Sequence, residues 1–169
     1  MLVLGVDPGS HVTGYGLVNQ EGHRLNHIAS GRVRLSSKAP FFERIHRVFQ
    51  SMLEIMDHYG PEQMAIEDVF FSKNVKSSLK LGHARGAVLV AAVQKGLRIF
   101  EYTPLEIKKS IVGYGRADKE QGRSMVRILL NLKGIPDLDT SDALAAAICH
   151  LNWSRFDSGL LSVSPVMRR

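Results

Sequence analysis

The sequence predicts a single α/β domain built on a five-stranded mixed sheet with helices on both faces. Three observations predict this class. The periodic segments follow the order β-β-β-α-β-α-β-α-α-α, the first three strands are consecutive, and the later strands are separated by helices. With 169 residues, 44% of them hydrophobic, the chain is long enough for one domain with a hydrophobic core. We expect this domain to span residues 1–156 and residues 157–169 to form a flexible tail.

The predicted strands are short runs rich in apolar and β-branched residues. They cover residues 2–6, 13–18, 27–35, 63–69 and 97–102. The first run ends at Asp7-Pro-Gly-Ser, which is typical of a turn, and a second turn at residues 20–22 joins the next two strands. The first three strands are therefore expected to pair as a meander.

The predicted helices are segments in which apolar residues recur at helical spacing between breakers such as Gly60-Pro61. They cover residues 40–58, 75–95, 104–112, 118–132 and 141–153. A polar loop that contains Phe70, Phe71 and Lys73 precedes the second helix. One of the two phenylalanines, more readily Phe71, can fill the core, while Phe70 is placed to stack on an exposed base.

Charge predicts a polyanionic partner. The chain has 22 Lys and Arg against 16 Asp and Glu, and residues 73–133 hold thirteen of the basic residues but only four of the acidic ones. Such a basic stretch attracts phosphates, although surface lysines often do no more than solvate a helix. Cys149 is the single cysteine, which excludes an intramolecular disulfide and a cysteine-rich zinc module. Without a basic leader or a long apolar run, we expect a cytoplasmic protein that does not engage membranes.

Four carboxylates stand in apolar or small-residue surroundings. Asp7 ends the first strand, Glu67 ends the fourth, and Asp139 and Asp142 share one face at the start of the last helix. Each has an ordinary alternative role, as a turn residue, a satisfied strand-end acid, a helix cap or a partner of the helix dipole. Converging at one place, they would repel unless a divalent cation neutralised them, and oxygen ligands favour Mg²⁺ or Mn²⁺.

Five stretches of the chain, in order, resemble one family of nucleases. They are LGVDPGS at 4–10, AIEDVFFSKNVKSSLKLGHARG at 65–86, YTPLEIKKSIVG at 102–113, ADKEQ at 117–121 and DTSDALA at 139–145. On these motifs the chain resembles the RuvC family of Holliday junction resolving endonucleases, within the ribonuclease H-like superfamily. The resemblance covers nearly the whole chain.

The resemblance implies a fold, a site and partners. By it, the fold is ribonuclease H-like, and Asp7, Glu67, Asp139 and Asp142 are catalytic ligands of Mg²⁺, with Mn²⁺ as a substitute and two ions per site. The residues implied or favoured as DNA contacts are Phe70, Lys73, Lys76, Lys80, Arg85, Lys108, Lys109, Arg116 and Lys119. The family acts as a homodimer that nicks strands of like polarity in four-way junctions during recombination and repair, alongside the RuvA-RuvB branch-migration complex.

Two positions depart from the family pattern. Asp68 follows Glu67 directly, and in an extended strand the two side chains point to opposite faces, which favours Glu67 as the ligand. Gly122 lies inside the helix after Lys119, where Gly costs about 1 kcal/mol relative to Ala.

Three other functions fit parts of the sequence. Another ribonuclease H-like nuclease would share the carboxylates, and a DNA-binding protein without catalysis would not need them. An actin-like ATPase would use the Asp7-Pro-Gly-Ser turn with Gly14 to hold phosphates, but such enzymes close two lobes around the nucleotide and this chain supplies one. A junction-resolving nuclease accounts for both the carboxylates and the basic stretch.

Overall fold

A computed structural model describes residues 1–68, 75–113 and 118–159, the last five of them as backbone alone. The elements are β1 (Leu2–Asp7), β2 (Val12–Glu21), β3 (Arg24–Arg34), α1 (Phe41–Tyr59), β4 (Gln63–Glu67), α2 (Val75–Gln94), β5 (Arg98–Tyr102), α3 (Pro104–Val112), α4 (Lys119–Leu129) and α5 (Leu138–Gly159). The predicted order of strands and helices is confirmed. In the described part of the chain, no helix is long and apolar enough to cross a membrane.

The five strands form one mixed sheet in the order β3-β2-β1-β4-β5. β1, β2 and β3 pair antiparallel as a meander, whereas β4 runs parallel to both β1 and β5. Consequently the carboxyl ends of β1, β4 and β5 meet at one edge of the sheet, which is also where β2 begins and β3 ends. We call this the catalytic edge, because Asp7 and Glu67, which the family resemblance implies to be catalytic, end two of these strands.

Alternate residues of the strands feed two separate cores, one on each face of the sheet. On one face, Val3 and Ala65 pack with apolar residues of α3, α4 and α5. On the other face, Leu4 and Ile66 pack with residues of α1 and α2. The predicted sheet with helices on both faces is thereby confirmed.

Glycines allow α5 to lie directly against β1 and β2. A Cβ built on Gly5 would stand 1.9 Å from the carbonyl oxygen of Ala143, and one built on Gly14 would stand 2.1 Å from that of Asp139. Only glycine permits such an approach between a helix and strand backbone. The first turn of α5 is thus fixed beside the end of β1.

Several predicted boundaries are wrong. β4 ends at Glu67 rather than at residue 69, and α4 ends at Leu129 rather than at residue 132, because the chain turns at Asn131 with a φ of 51°. α5 begins three residues earlier than predicted and continues to Gly159, into the segment expected to be a tail. Residues 160–169 lie outside the described residues.

Candidate functional site

Asp7 and Glu67 lie side by side at the catalytic edge. They are the last residues of β1 and β4, whose preceding residues Val6 and Ile66 are partners in the parallel register. Because side chains alternate along a strand, both point to the face on which α5 packs. The two carboxylates therefore converge for a reason that the strand order dictates.

Asp139 and Asp142 come from the first turn of α5, three residues apart and hence on one side of the helix. The close approach at Gly14 places this turn against the strand pair in which Asp7 is the register partner of Gly14. The Thr140 hydroxyl donates to the carbonyl of Gly31 at 3.4 Å and ties the same turn to β3. We call Asp7, Glu67, Asp139 and Asp142 the acidic cluster.

Burial and the charges of the other members raise pKa values within the acidic cluster. Burial and then the charges of Asp142, Glu67 and Asp139 raise the pKa of Asp7 to about 7. Burial and the charge of Asp142 raise the pKa of Glu67, and burial is also the main cause of the raised pKa of Asp142. Carboxylates with pKa values raised by burial and by one another are characteristic of functional sites and of cation sites.

Lys108 and Lys119 oppose this repulsion from α3 and α4. Their charges lower the pKa values of both Glu67 and Asp142, against the effect of burial. Both lysines are exposed, and both line a cavity of about 240 Å³ that Glu67 and Asp142 also border. Because the lysines and the carboxylates line one cavity, a phosphate group held by the lysines would lie beside the carboxylates.

Capping boxes set the positions of these lysines. The Thr103 hydroxyl accepts the backbone N–H of Glu106 at the start of α3, and the Glu106 carboxylate accepts the N–H of Thr103 at 2.8 Å. Asp118 and Gln121 form the same reciprocal pair at the start of α4, immediately before Lys119. Each capping box fixes the direction of its helix and thereby that of the lysine it carries.

The acidic cluster fits a hard divalent cation without forming a closed cage. Within the described residues, no three His, Cys, Asp or Glu side chains already stand at the spacing of a complete ligand set. Mg²⁺ does not require one, since it usually keeps several waters and takes one or two carboxylates from the protein. The all-oxygen donor set and the mutual repulsion at Asp7 suit such an ion.

The remaining residues predicted to contact DNA differ in exposure and surroundings. Lys76 and Lys80 are exposed in the first turns of α2, and Lys109 is exposed in α3. Arg85 is instead directed into the protein: its side chain is 15% exposed, and its Nη2 lies 3.0 Å from Glu101 and 3.9 Å from Asp68. Arg85 thus takes part in an intramolecular ion pair, and a DNA contact by this residue stays a prediction. Phe70, Phe71, Lys73 and Arg116 lie outside the described residues.

The sequence analysis missed Arg32. Its guanidinium lies 2.8 Å from the carboxylate of Asp137 and 4.0 Å from that of Asp139, so it links β3 to the start of α5. Arg123 supports the same segment by donating from Nε and Nη2 to the carbonyl of Pro136. Nothing in the spacing along the chain indicates these contacts, because they join segments far apart in sequence.

The strand order, the helices on both faces and the carboxylates at the catalytic edge define a protein of the ribonuclease H-like class. The family model described as crossover junction endodeoxyribonuclease RuvC matches residues 3–150. The chain belongs to the RuvC family.

Individual relatives agree with that assignment. The crossover junction endodeoxyribonuclease RuvC of Geotalea uraniireducens is 47% identical over 163 residues, which cover 96% of this chain and 95% of the relative. That of Saccharophagus degradans is 51% identical over 151 residues, covering 89% and 87%. Thermus thermophilus RuvC, solved in complex with Holliday junction substrate, has a TM-score of 0.89 at 36% identity and covers 94% of this chain and 97% of its own. The yeast mitochondrial resolvase Ydc2 shares the fold, with a TM-score of 0.65 at 13% identity over 94% of this chain and 86% of its own.

Proposed function

We propose that this protein is a structure-selective DNA endonuclease that resolves Holliday junctions during recombination and repair. It hydrolyses phosphodiester bonds in paired strands of like polarity. The observation that carries the proposal is the convergence of the acidic cluster beside Lys108 and Lys119 at one edge of the sheet. The near full-length relatives named as crossover junction endodeoxyribonucleases, and the relative solved with a Holliday junction, support this substrate.

The acidic cluster would hold the metal, which we propose to be two Mg²⁺ ions with Mn²⁺ as a substitute. When bound, such ions supply a water that is nucleophilic at neutral pH and stabilise the charge that develops on the phosphate. Asp7 and Glu67 are fixed by the sheet, whereas Asp139 and Asp142 come from α5, so cation binding joins two layers of the fold. The raised pKa of Asp7, about 7, means that this carboxyl must lose its proton before it can act as a ligand.

The basic residues would hold the DNA backbone. Lys108 and Lys119, which line the cavity beside Glu67 and Asp142, are proposed to bind the scissile phosphate and stabilise its charge. Lys76, Lys80 and Lys109 would add backbone contacts, and Lys73 and Arg116 remain proposed contacts of the same kind. Phe70 is proposed to stack on a base at the junction. These contacts would position the four-way junction across the catalytic edge.

A homodimer would supply the second active site that paired cleavage requires. The outer face of α2 supports this proposal, since Leu79, Val90 and Val93 are 58%, 59% and 67% exposed. Gly86 lies seven residues after Leu79 and seven before Val93, on the same stripe, and would let a partner helix approach closely. We further propose cooperation with the RuvA-RuvB branch-migration complex and a cytoplasmic location, on the family resemblance.

Strand-mapped cleavage tests the proposal. Purified protein with Mg²⁺ is offered fixed and mobile four-way junctions, with duplex, flap and RNA–DNA hybrid of matched sequence as controls. We expect symmetric nicks in two strands of like polarity in the junctions alone. Preferential cleavage of the hybrid would reassign the protein as a ribonuclease, and junction binding without cleavage under Mg²⁺ or Mn²⁺ would reassign it as a binding module.

A further inference from the structure

A second charged pocket lies where the end of β3 meets the start of α1. Its volume is about 320 Å³, and the polar residues that line it are Arg34, Ser36, Glu43, Arg44 and Arg47. We call it the arginine pocket. Three arginines and one glutamate line it, so the side chains that border the pocket have a net positive charge.

Arg44 is the buried member of the pocket, with 7% of its surface exposed. Its Nη1 donates to the carbonyl of Ser10 at 3.0 Å and to Nδ1 of His11 at 3.3 Å, and its guanidinium lies 5.4 Å from the centre of the Phe41 ring. Its Nε is buried without a hydrogen-bond partner. All of the contacts that this cation makes among the described residues are therefore with neutral groups.

A buried charge without a counter-ion is costly. Arg cannot lose its proton, so the usual escape of a buried ionisable group is closed to Arg44. The other two arginines supply no counter-ion to Arg44. Arg34 is exposed, and Arg47 lies 3.6 Å from Glu54 in an exposed pair. An anion in the pocket would act as the counter-ion of Arg44. Planar guanidinium groups are suited to bind the oxygens of a phosphate.

The backbone around the pocket also favours an anion. α1 begins after Pro40 without a side-chain cap, so its first N–H groups are not satisfied by a capping side chain. The Ser36 hydroxyl accepts the N–H of Lys38 at 3.3 Å and has its own proton to donate. Together with the buried arginine, these donors form a site built from several elements.

The location relates the pocket to DNA rather than to a small solute. Arg34 ends β3 opposite Val12, and the N–H of Leu35 donates to the carbonyl of His11 at 2.9 Å. Residues 8–11, to which Arg44 is bonded through Ser10 and His11, connect Asp7 to β2. Two strand spacings separate β1 from β3, so the ends of these two strands are on the order of 10 Å apart. α1, which lines the pocket, packs on the face of the sheet opposite to α5.

We propose that the arginine pocket binds a backbone phosphate of the DNA other than the scissile one. This inference rests on the proposed function, since it takes the nucleic acid in the active site as the source of the phosphate. One or two phosphates held there would set the direction in which a strand leaves the acidic cluster.

Junction binding as a function of salt tests this. The variant is Arg34→Gln with Arg47→Gln, and the matched control is Arg24→Gln, an exposed arginine at the opposite end of β3. Each lost phosphate contact lowers the slope of log Kobs against log salt by about 0.9. We expect the double variant to lose about one to two from this slope and the control to lose none. Ethylation of one non-scissile phosphate should weaken binding by the wild type but not by the double variant.

Glu43→Gln gives a change of opposite sign. It removes the carboxylate from the pocket without touching Arg44, so we expect tighter junction binding. If the double variant has the affinity and the slope of Arg24→Gln, or if Glu43→Gln weakens binding, the assignment is wrong.

Inorganic phosphate is used as a probe to distinguish a DNA phosphate from a free anion as the ligand. This measurement does not depend on junction cleavage. Thermal unfolding is followed for the wild type and Arg44→Gln with inorganic phosphate or chloride at equal ionic strength. A phosphate-specific rise in Tm in the wild type alone supports an anion site. That rise together with unchanged junction binding by the double variant would overturn the DNA assignment in favour of a free anion. A wild type that fails to cleave junctions while showing this rise would refute the proposed function and leave the anion site standing.

Discussion

The acidic cluster and the arginine pocket occupy the same edge of the sheet and are opposite in charge. In the acidic cluster, burial and neighbouring carboxylates raise the pKa values, and the charges of exposed lysines on α3 and α4 oppose this rise. In the arginine pocket, buried Arg44 has neutral hydrogen-bond acceptors and no carboxylate within ion-pair distance among the described residues. The fold thus compensates one site from outside and leaves the other to a ligand.

This difference indicates what each site responds to. The acidic cluster should depend on divalent cations and pH, because protons and metal ions compete for the same oxygens. The arginine pocket should depend on anions and salt, because contacts between arginines and phosphates weaken as the salt concentration rises. A variant that alters one of these dependences and leaves the other unchanged supports two separate sites. A variant that alters both contradicts this separation.

The largest effect is expected from the acidic cluster. Asp7→Asn or Glu67→Gln removes an oxygen that we propose as a metal ligand and that the sheet fixes in place. Metal ions contribute several kcal/mol to stabilising such a transition state, so we expect cleavage of a synthetic junction to fall by about 10³-fold or more. Junction binding in Ca²⁺, measured by mobility shift, should stay within about threefold of the wild type, since removing a carboxylate removes repulsion from DNA.

Asp68→Asn is the matched control for Glu67→Gln. Asp68 is the next residue, is 48% exposed and lies 3.9 Å from Arg85 of α2, on the opposite face of the sheet. Its removal should leave cleavage within about twofold, as for most surface substitutions. Equal losses at Asp68 and Glu67 would show that general charge, not the position of Glu67, governs cleavage.

A smaller effect is expected from the lysines that relieve the acidic cluster. Lys108→Gln or Lys119→Gln should slow single-turnover cleavage by about 10- to 100-fold, less than the loss of a buried donor because both side chains are exposed. Lys95→Gln is the control, since Lys95 is paired with Asp57 at the far end of α2. If Lys95→Gln slows cleavage equally, the basic stretch acts by its total charge alone.

The pH dependence of stability tests the acidic cluster without DNA. Asp7 has a pKa of about 7 in the folded protein against an ordinary value of 3.8, so the folded state holds this proton more tightly. The resulting stabilisation is fully present below about pH 4 and is lost as the pH rises through 7. In EDTA, Asp7→Asn should therefore have a shallower pH dependence than the wild type between pH 4 and 7.

At pH 8 the same variant should be the more stable protein, by about 2–4 kcal/mol in the free energy of unfolding. Denaturant titrations at pH 5 and pH 8 measure the difference, and Mg²⁺ should reduce it by stabilising the wild type. A variant less stable than the wild type at pH 8 would show that burial and the neighbouring carboxylates do not make the charged form of Asp7 unfavourable.

The site residues that the sequence predicts best lie at the ends of strands. Asp7 and Glu67 end two apolar runs, a position at which α/β sheets place functional groups, whereas the strand order that makes them neighbours is visible only in the structure. Asp142 is predictable from its spacing to Asp139 on a helix. The role of Gly14, which allows α5 to approach β2 closely, is visible only in the structure. Local pattern was sufficient where the functional group sits at the end of a regular element.

Pairing across the fold was not predictable. Arg85 belongs to the basic stretch by sequence, but β5 brings a carboxylate oxygen of Glu101 within 3.0 Å of its guanidinium. Arg44 is the opposite case, because its place in an amphipathic helix gives no reason to single it out. Its importance comes from burial beside Ser10 and His11. Counting charges along a chain cannot tell a solvated cation from a paired or buried one.

The smallest expected effect concerns the helix that carries Lys119. Gly122 lies inside α4, and a Cβ at this position would have no atom within 4 Å, so Gly122→Ala gains helix propensity without a clash. We expect the free energy of unfolding to rise by about 0.5–1 kcal/mol. Gly14→Ala is the contrasting variant, because its Cβ would stand 2.1 Å from the carbonyl oxygen of Asp139 and would push α5 away from β2. It should lower both stability and cleavage, whereas a Gly122→Ala protein that cleaves much more slowly than the wild type would show that movement of α4 is needed to place Lys119.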